Sequence, residues 1–262
     1  MAHWYILVDG RPQRYVQYNA DGSERKFVNR KKALEDGAVL GLTDTLSYLG
    51  KGDALREWYA NLAIECAISN CGIQDPVEFE AKTRQLFEDR ATAPASVGTD
   101  IHEYISSYLT TGVLPEDEVG RRACDGARKF IDGLGVESYT SEKCLIYIGR
   151  EKYFRFGGTT DFVSANFIVD FKTVSAKNGK YRKPTWKECA QLAGYRMAAA
   201  QMGLADPSAA CFNVYFDRET GDVVNVKGWR SDQLQWGAAV VELACRVVDM
   251  LEGFKDNGDN GK

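Results

Sequence analysis

The chain has 262 residues, 44% of them hydrophobic and 27% charged, with a formal net charge of -4. That length and balance suit one α/β domain with an extension, large enough to bury about 70–75% of the surface its unfolded chain exposes. The acidic balance argues against coating nucleic acid over the whole surface. It does not exclude one basic groove, because bound metal can neutralise several acids.

The N-terminus, MAHWYILVDGRPQRY, holds a five-residue apolar run before Asp9. This is too short for a signal-peptide core or a membrane span, and no later run reaches eighteen apolar residues, so the expectation is a soluble, cytoplasmic protein without membrane contact. Residues 4–8 and 13–18 read as strands separated by Asp9-Gly10, and Ala20 to Ser23 as a turn. From Thr43 the pattern turns helical. Asp53 suits an N-cap, with Leu55, Trp58, Tyr59, Leu62 and Ala63 at helical spacing up to Ile68, and a second helix follows over 75–90.

After Pro94 the pattern predicts helices over 96–111 and 116–133, then strands over 137–148, 153–164 and 167–173, the first two joined at Gly149-Arg150. A helix over 185–202 follows, then strands over 209–216 and 223–226 flanking Thr220-Gly221-Asp222, and a long amphipathic helix over 231–254. The organisation is thus an N-terminal strand and helical extension over 1–95, a core over 96–255 and a tail over 256–262. The tail, DNGDNGK, reads as disordered and lacks the apolar and glycine pattern of an acidic calcium repeat. Seven scattered cysteines (66, 71, 124, 144, 189, 211 and 245) form no C-x-x-C pair. They read as reduced, packed thiols, with no zinc or iron–sulfur cluster expected.

Chemistry concentrates around FIVDFKT, Phe167 to Thr173. Strand alternation projects Asp170 and Lys172 to one face, and Val169, Phe171 and Thr173 to the other. The acid-x-lysine triplet recurs at Glu24-x-Lys26 and Glu80-x-Lys82, but neither ends a buried strand. In RFGGTTDFV, Asp161 follows two glycines on a segment expected to pair with residues 168–173, which sets two carboxylates side by side. At about 4 Å and an effective dielectric near 20 they repel by roughly 4 kcal/mol, so a proton, a lysine or a hard cation must intervene. A buried ion pair through Lys172 alone is the purely structural alternative.

VGTDIHEYI places Gly98 and His102 one helical turn apart, and CAQLAGYRMA places Gln191 and Tyr195 at i and i+4. His102 could offer a ring nitrogen to a metal, although a lone helical histidine is more often a satisfied polar residue. Gln191 and Tyr195 could hydrogen-bond a phosphate, a base edge or the lysine, and in isolation read equally as the polar edge of an amphipathic helix. The loop SAKNGKYRKPTWK carries Lys177, Lys180, Arg182, Lys183 and Lys187 with Tyr181 and Trp186. Basic and aromatic residues interleaved in this way suit phosphate contact and base stacking, and equally suit a solvated loop.

Taken in order, Gly98 to His102, Gly158 to Asp161, Asp170 to Lys172, and Gln191 to Tyr195 resemble the motif set of the RecB-like branch of the PD-(D/E)XK nuclease superfamily. The resemblance covers residues 96–217. More loosely, LSYLGKGDALREWYANLAIECA is similar to the N-terminal part of phage-type exonucleases related to the mitochondrial genome-maintenance exonuclease. The resemblance implies a restriction-endonuclease-like α/β fold, a mixed central sheet flanked by helices. It further implies that His102, Asp161, Asp170 and the backbone carbonyl of Phe171 bind Mg2+ or Mn2+, with Glu142 as a weaker candidate.

By the same resemblance, Lys172 orients or helps deprotonate the attacking water, Gln191 and Tyr195 position Lys172 or the DNA backbone, and Thr173 supports the strand end. DNA is the implied partner, with a single-strand annealing or recombination protein as a further one in a phage or prophage setting. The chain lacks the four-cysteine cluster of some relatives and any G-x-x-x-x-G-K-[ST] helicase motif. The expected function is a metal-dependent DNA exonuclease acting at ends or in single strands. The alternatives are a DNA-binding module of a recombination or replication complex that does not cut, and a structural metal protein.

Overall fold

The computed structural model describes residues 2–50, 62–176 and 179–258; within these, residues 91–100 and 252–258 are described as helical backbone. Strands β1 (Trp4–Val8) and β2 (Arg11–Arg14) form a hairpin whose two-residue loop, Asp9-Gly10, has positive φ at both positions, 49° and 75°. That geometry matches the twist of the flanking strands. It begins β2 at Arg11, two residues before the expected start, because the tight turn leaves no room for a longer connection. Helix α1 (Arg30–Glu35), capped by Asn29, and strand β3 (Val39–Leu40) were not apparent from the sequence, being too short for a periodic pattern. Helix α2 (Leu42–Ser47) follows. Residues 62–69, the described part of α3, are helical, and most of the helix expected from Asp53 lies outside the described residues.

Helix α4 (Pro76–Thr111) starts with an Asp75 cap and proline at its first position and stops at Gly112, which is left-handed at φ 73°. It joins into one helix the two segments expected to break at Pro94. The proline removes one backbone donor, while Ala91, Ala93 and Ala95 around it favour helix strongly. Helix α5 (Glu118–Gly133) is capped by Asp117. Strands β4 (Thr140–Ile148), β5 (Arg155–Val163) and β6 (Phe167–Val174) then lead to α6 (Trp186–Gln201), β7 (Ala210–Asp217), β8 (Val223–Trp229) and α7 (Ser231–Gly258). The closing helix runs past 254 and includes residues 256–258, which were expected to belong to a disordered tail.

Among the described residues, the larger sheet has the order β4-β5-β6-β7-β8, antiparallel except for the parallel β6/β7 pair, and a smaller sheet has the order β2-β1-β3. The parallel pair needs a crossover, and α6 supplies it. On one face Phe162, Val169, Phe171, Val214 and Phe216 pack with Ile101 and Ile105 of α4 and Ala123, Ala127 and Ile131 of α5. On the other, Leu145, Phe156, Ile168 and Cys211 meet Leu192 and Ala198 of α6 and Leu234 and Val241 of α7. This is the expected α/β architecture of a mixed central sheet flanked by helices.

Leu42 and Leu46 of α2 join the second cluster, Gly41 bridges Gly157 of β5, and the Tyr5 hydroxyl lies 3.2 Å from the Thr159 hydroxyl. The N-terminal strands therefore rest directly on the large sheet. All seven cysteines are free and five are buried; burial pushes the Cys211 and Cys245 thiols up to about 12, so they pack as inert groups.

Candidate active site

A row of polar residues crosses the middle of the apolar sheet. Ser141↔Phe162 and Lys143↔Thr160 set Glu142 of β4 opposite Asp161 of β5. Phe162↔Val169, continued by one step, sets Asp161 opposite Asp170 of β6. Asp170 then pairs with Asn213 of β7, and Asn213 with Lys227 of β8. Carried through these neighbouring pairs, the strand register lines up three acids with an amide and a lysine.

The strands part where the acids meet. Only two residue pairs join β5 to β6, fewer than the pairing expected along 168–173. Beyond them the Asp161 side chain enters the gap and accepts the Phe171 N–H through Oδ2 at 2.6 Å. Carboxylate repulsion favours this opening over continued pairing, and Asp161 satisfies the buried N–H that the lost pairing leaves. Glu142 has φ 49°, a left-handed conformation uncommon outside glycine, which costs on the order of 1–3 kcal/mol and marks a strained position in this row.

Around Asp170 the arrangement is closed. Its Oδ2 receives Lys172 Nζ at 2.7 Å and Asn213 Nδ2 at 2.7 Å, and the carboxylate is buried. Lys172 Nζ also donates to Gln191 Oε1 at 3.2 Å, and Gln191 Nε2 donates to the Tyr195 hydroxyl at 3.0 Å. One helical turn spaces Gln191 and Tyr195 so that they act in series on the lysine. The nearby helix can approach because β5 has no side chain at Gly158, where a Cβ would stand 2.5 Å from Tyr195 Cε1. His102 of α4 reaches the same centre from the other side, with Nδ1 3.6 Å from Asp161 Oδ2.

The electrostatics report crowded negative charge. Burial first, then the neighbouring Asp170, push the Asp161 carboxyl up to about 6, against the opposing pull of His102 and Lys172. Glu142 keeps solvent contact, yet loss of surrounding water and the charges of Asp161 and Asp170 push it up to about 7. Burial works against the Lys172 ammonium, but Asp170 and Asp161 outweigh it and raise its pKa, so it holds its proton firmly. Burial likewise keeps the Tyr195 hydroxyl protonated. Among the described residues no three His, Cys, Asp or Glu side chains converge as a ready metal centre. Asp161 and Asp170 instead spend their oxygens on the N–H, lysine and amide partners above.

The remaining candidates scatter. Thr173 follows Lys172 and so falls on the face opposite Asp170 and Lys172. Lys177 lies outside the described residues, and the surroundings of Gly98 are likewise undescribed. Lys180 and Lys183 are exposed on the loop before α6, and Trp186 stands at the start of that helix. Arg182 is committed inward, pairing with Glu188 Oε1 at 2.6 Å.

Three contributors escaped sequence reasoning. Asn213 is a fully buried polar residue in an otherwise apolar strand, ACFNVYFD, and such a residue needs a partner. Trp229 Nε1 donates to Asn213 Oδ1 at 2.7 Å, which orients the amide so that its N–H faces Asp170. Glu188 completes a capping box with Thr185, a T-x-x-E signature legible in PTWKE, and also accepts from Arg182 and the Tyr215 hydroxyl.

No family model and no curated protein matches the sequence. Among solved structures, the chain is similar to a candidate exonuclease from Eubacterium rectale, at 14% identity and TM-score 0.42 over 60% of this chain and 68% of that one. It is similar also to the protein SSO0001, at 14% identity and TM-score 0.34 over 73% of this chain and 85% of that one.

Proposed function

We propose that the chain is a metal-dependent deoxyribonuclease acting at DNA ends or in single strands. The observation that carries this reading is the alignment of Glu142, Asp161 and Asp170 on adjacent strands, with Lys172 Nζ 2.7 Å from the last of them. A chain gains no stability from stacking like charges there, so the row points to a ligand of opposite charge. The donor set suits a hard divalent ion: carboxylate oxygens, one imidazole and the Phe171 backbone carbonyl, in the part of β6 where β5 no longer pairs. Burial is the first cause of the upward displacement of Asp161 and Glu142, and the neighbouring carboxylates add to it; a bound cation would offset that second contribution.

His102, Asp161, Asp170 and the Phe171 carbonyl would hold Mg2+ or Mn2+, with Glu142 at the edge. Bound there, the ion supplies an acidified water and stabilises charge on the phosphate. Lys172, cationic and fixed by Asp170 and Gln191, is suited to orient a nucleophile or bind a phosphate oxygen rather than to take a proton. Gln191 and Tyr195 hold the lysine on that line, and Asn213 keeps the Asp170 carboxylate from rotating.

One observation favours a second reading, a DNA-binding module that does not cut: both aspartates already have protein partners and no three metal-type donors converge among the described residues. Degradation of end-labelled DNA with Mg2+ or Mn2+, by wild type and Lys172→Ala, separates the two. The nuclease reading expects wild-type cleavage and a loss of at least about a hundredfold in the variant. Equal cleavage by both removes the lysine's role, while tight DNA binding without turnover supports the binding module.

A further inference from the structure

At the other end of the polar row, three tryptophans meet. Trp229 of β8, Trp186 at the start of α6 and Trp236 of α7 line a cavity of about 430 Å3 together with Thr185 and Gln233. Trp186 and Trp236 are 41% and 51% exposed and stand edge to face, with ring centroids 6.3 Å apart. A packed core tryptophan hides its ring, and these two present theirs to solvent. Two lysines flank the rings. Lys187 Nζ lies 5.4 Å from the Trp186 ring and also donates to the Gly50 carbonyl, and Lys227 Nζ lies 4.9 Å from the Trp229 ring, while the acid in the lining, Asp232, is paired with Arg230 at 2.8 Å.

The groove is also wired to the acids. Trp229 donates to Asn213, and Asn213 donates to Asp170, so two hydrogen bonds separate the aromatic lining from the carboxylate that Lys172 contacts. We propose that this groove is a binding subsite for single-stranded DNA, on which unpaired bases stack while the lysines meet the backbone phosphates. The proposal rests on the nuclease reading and names the form of substrate its site takes. Every base has a face to stack, so an open aromatic groove accepts any sequence, whereas the bases of a duplex already stack on one another and cannot offer theirs. The lysines make such binding sensitive to salt.

Binding of fluorescent oligothymidylate and of a blunt duplex, measured by anisotropy in chelator so that nothing is cut, tests the groove apart from catalysis. Trp186→Ala and Trp236→Ala should each weaken oligothymidylate binding about tenfold and leave the duplex unchanged, and Trp236→Phe should restore most of the loss. Both substituted side chains are exposed, and far-ultraviolet circular dichroism checks the fold. Unchanged oligothymidylate affinity in both alanine variants overturns the proposal, and it is the result expected if the groove instead takes a partner protein. Equal losses on duplex and single strand also overturn it. Failure of the nuclease reading has a different signature: wild type that binds oligothymidylate normally yet cuts nothing when Mg2+ or Mn2+ is supplied.

Discussion

Asp161 is held in the folded chain at a cost that depends on pH. Its carboxyl ordinarily titrates near 3.8, and burial with Asp170 beside it lifts it to about 6 in the folded state. An acid raised on folding binds its proton more tightly when folded, so its contribution to stability is greatest at low pH and falls as pH rises from about 4 through about 6. Asp161→Asn keeps an oxygen for the Phe171 N–H and removes the charge. In chelator, the variant should match wild type near pH 4 and exceed it by ~1–3 kcal/mol above pH 7, read from urea unfolding at each pH. A constant difference across that range would show that the charge is not what strains the site. If the proposed nuclease reading holds, the same substitution should abolish metal-dependent cleavage, the usual opposition between stability and activity at a charged site.

Between elements, the site depends on how closely α6 lies on the sheet. Gly158 allows this approach: with a methyl group there, Tyr195 Cε1 would be 2.5 Å away, so the helix or the ring must move. Gly158→Ala is expected to destabilise the protein by ~1–3 kcal/mol through overpacking. Because Tyr195, Gln191 and Lys172 form one line of hydrogen bonds, cleavage should fall more than the stability loss explains. Thermal melting together with turnover at a temperature where the variant stays folded checks this. The spacing of Gln191 and Tyr195 was legible in the sequence because helical geometry puts i and i+4 on one face. That Tyr195 needs Gly158 was not, because the two come from different elements 37 positions apart in the chain. Likewise FIVDFKT reads as a strand with Asp170 and Lys172 on one face, yet nothing in that segment reveals that Asn213 and Trp229 fix the acid from the far side.

Across the whole molecule, the first fifty residues are part of the fold that carries the site. Leu42, 1% exposed, sits in the same cluster as Leu192 and Leu234, and Gly194 of α6 leaves the space its side chain fills. Leu42→Ala should therefore cost ~2–5 kcal/mol of global stability and shift one cooperative transition. A second, separate transition in calorimetry would mean that the N-terminal strands unfold as an independent unit. The sequence by itself determined the order of the core elements and the residues able to carry charge chemistry, because periodicity, caps and turns act over a few residues. Strand β6 with Asp170 and Lys172 on one face, and helix α6 with its Gln191 and Tyr195 pair, are local in this sense. Only the tertiary structure decided what those residues meet. The registers that align Glu142, Asp161, Asp170, Asn213 and Lys227, the parting of β5 from β6, and the meeting of three tryptophans beside them depend on pairings between distant segments. Such pairings are set by the packing of both sheet faces at once, which no local pattern contains.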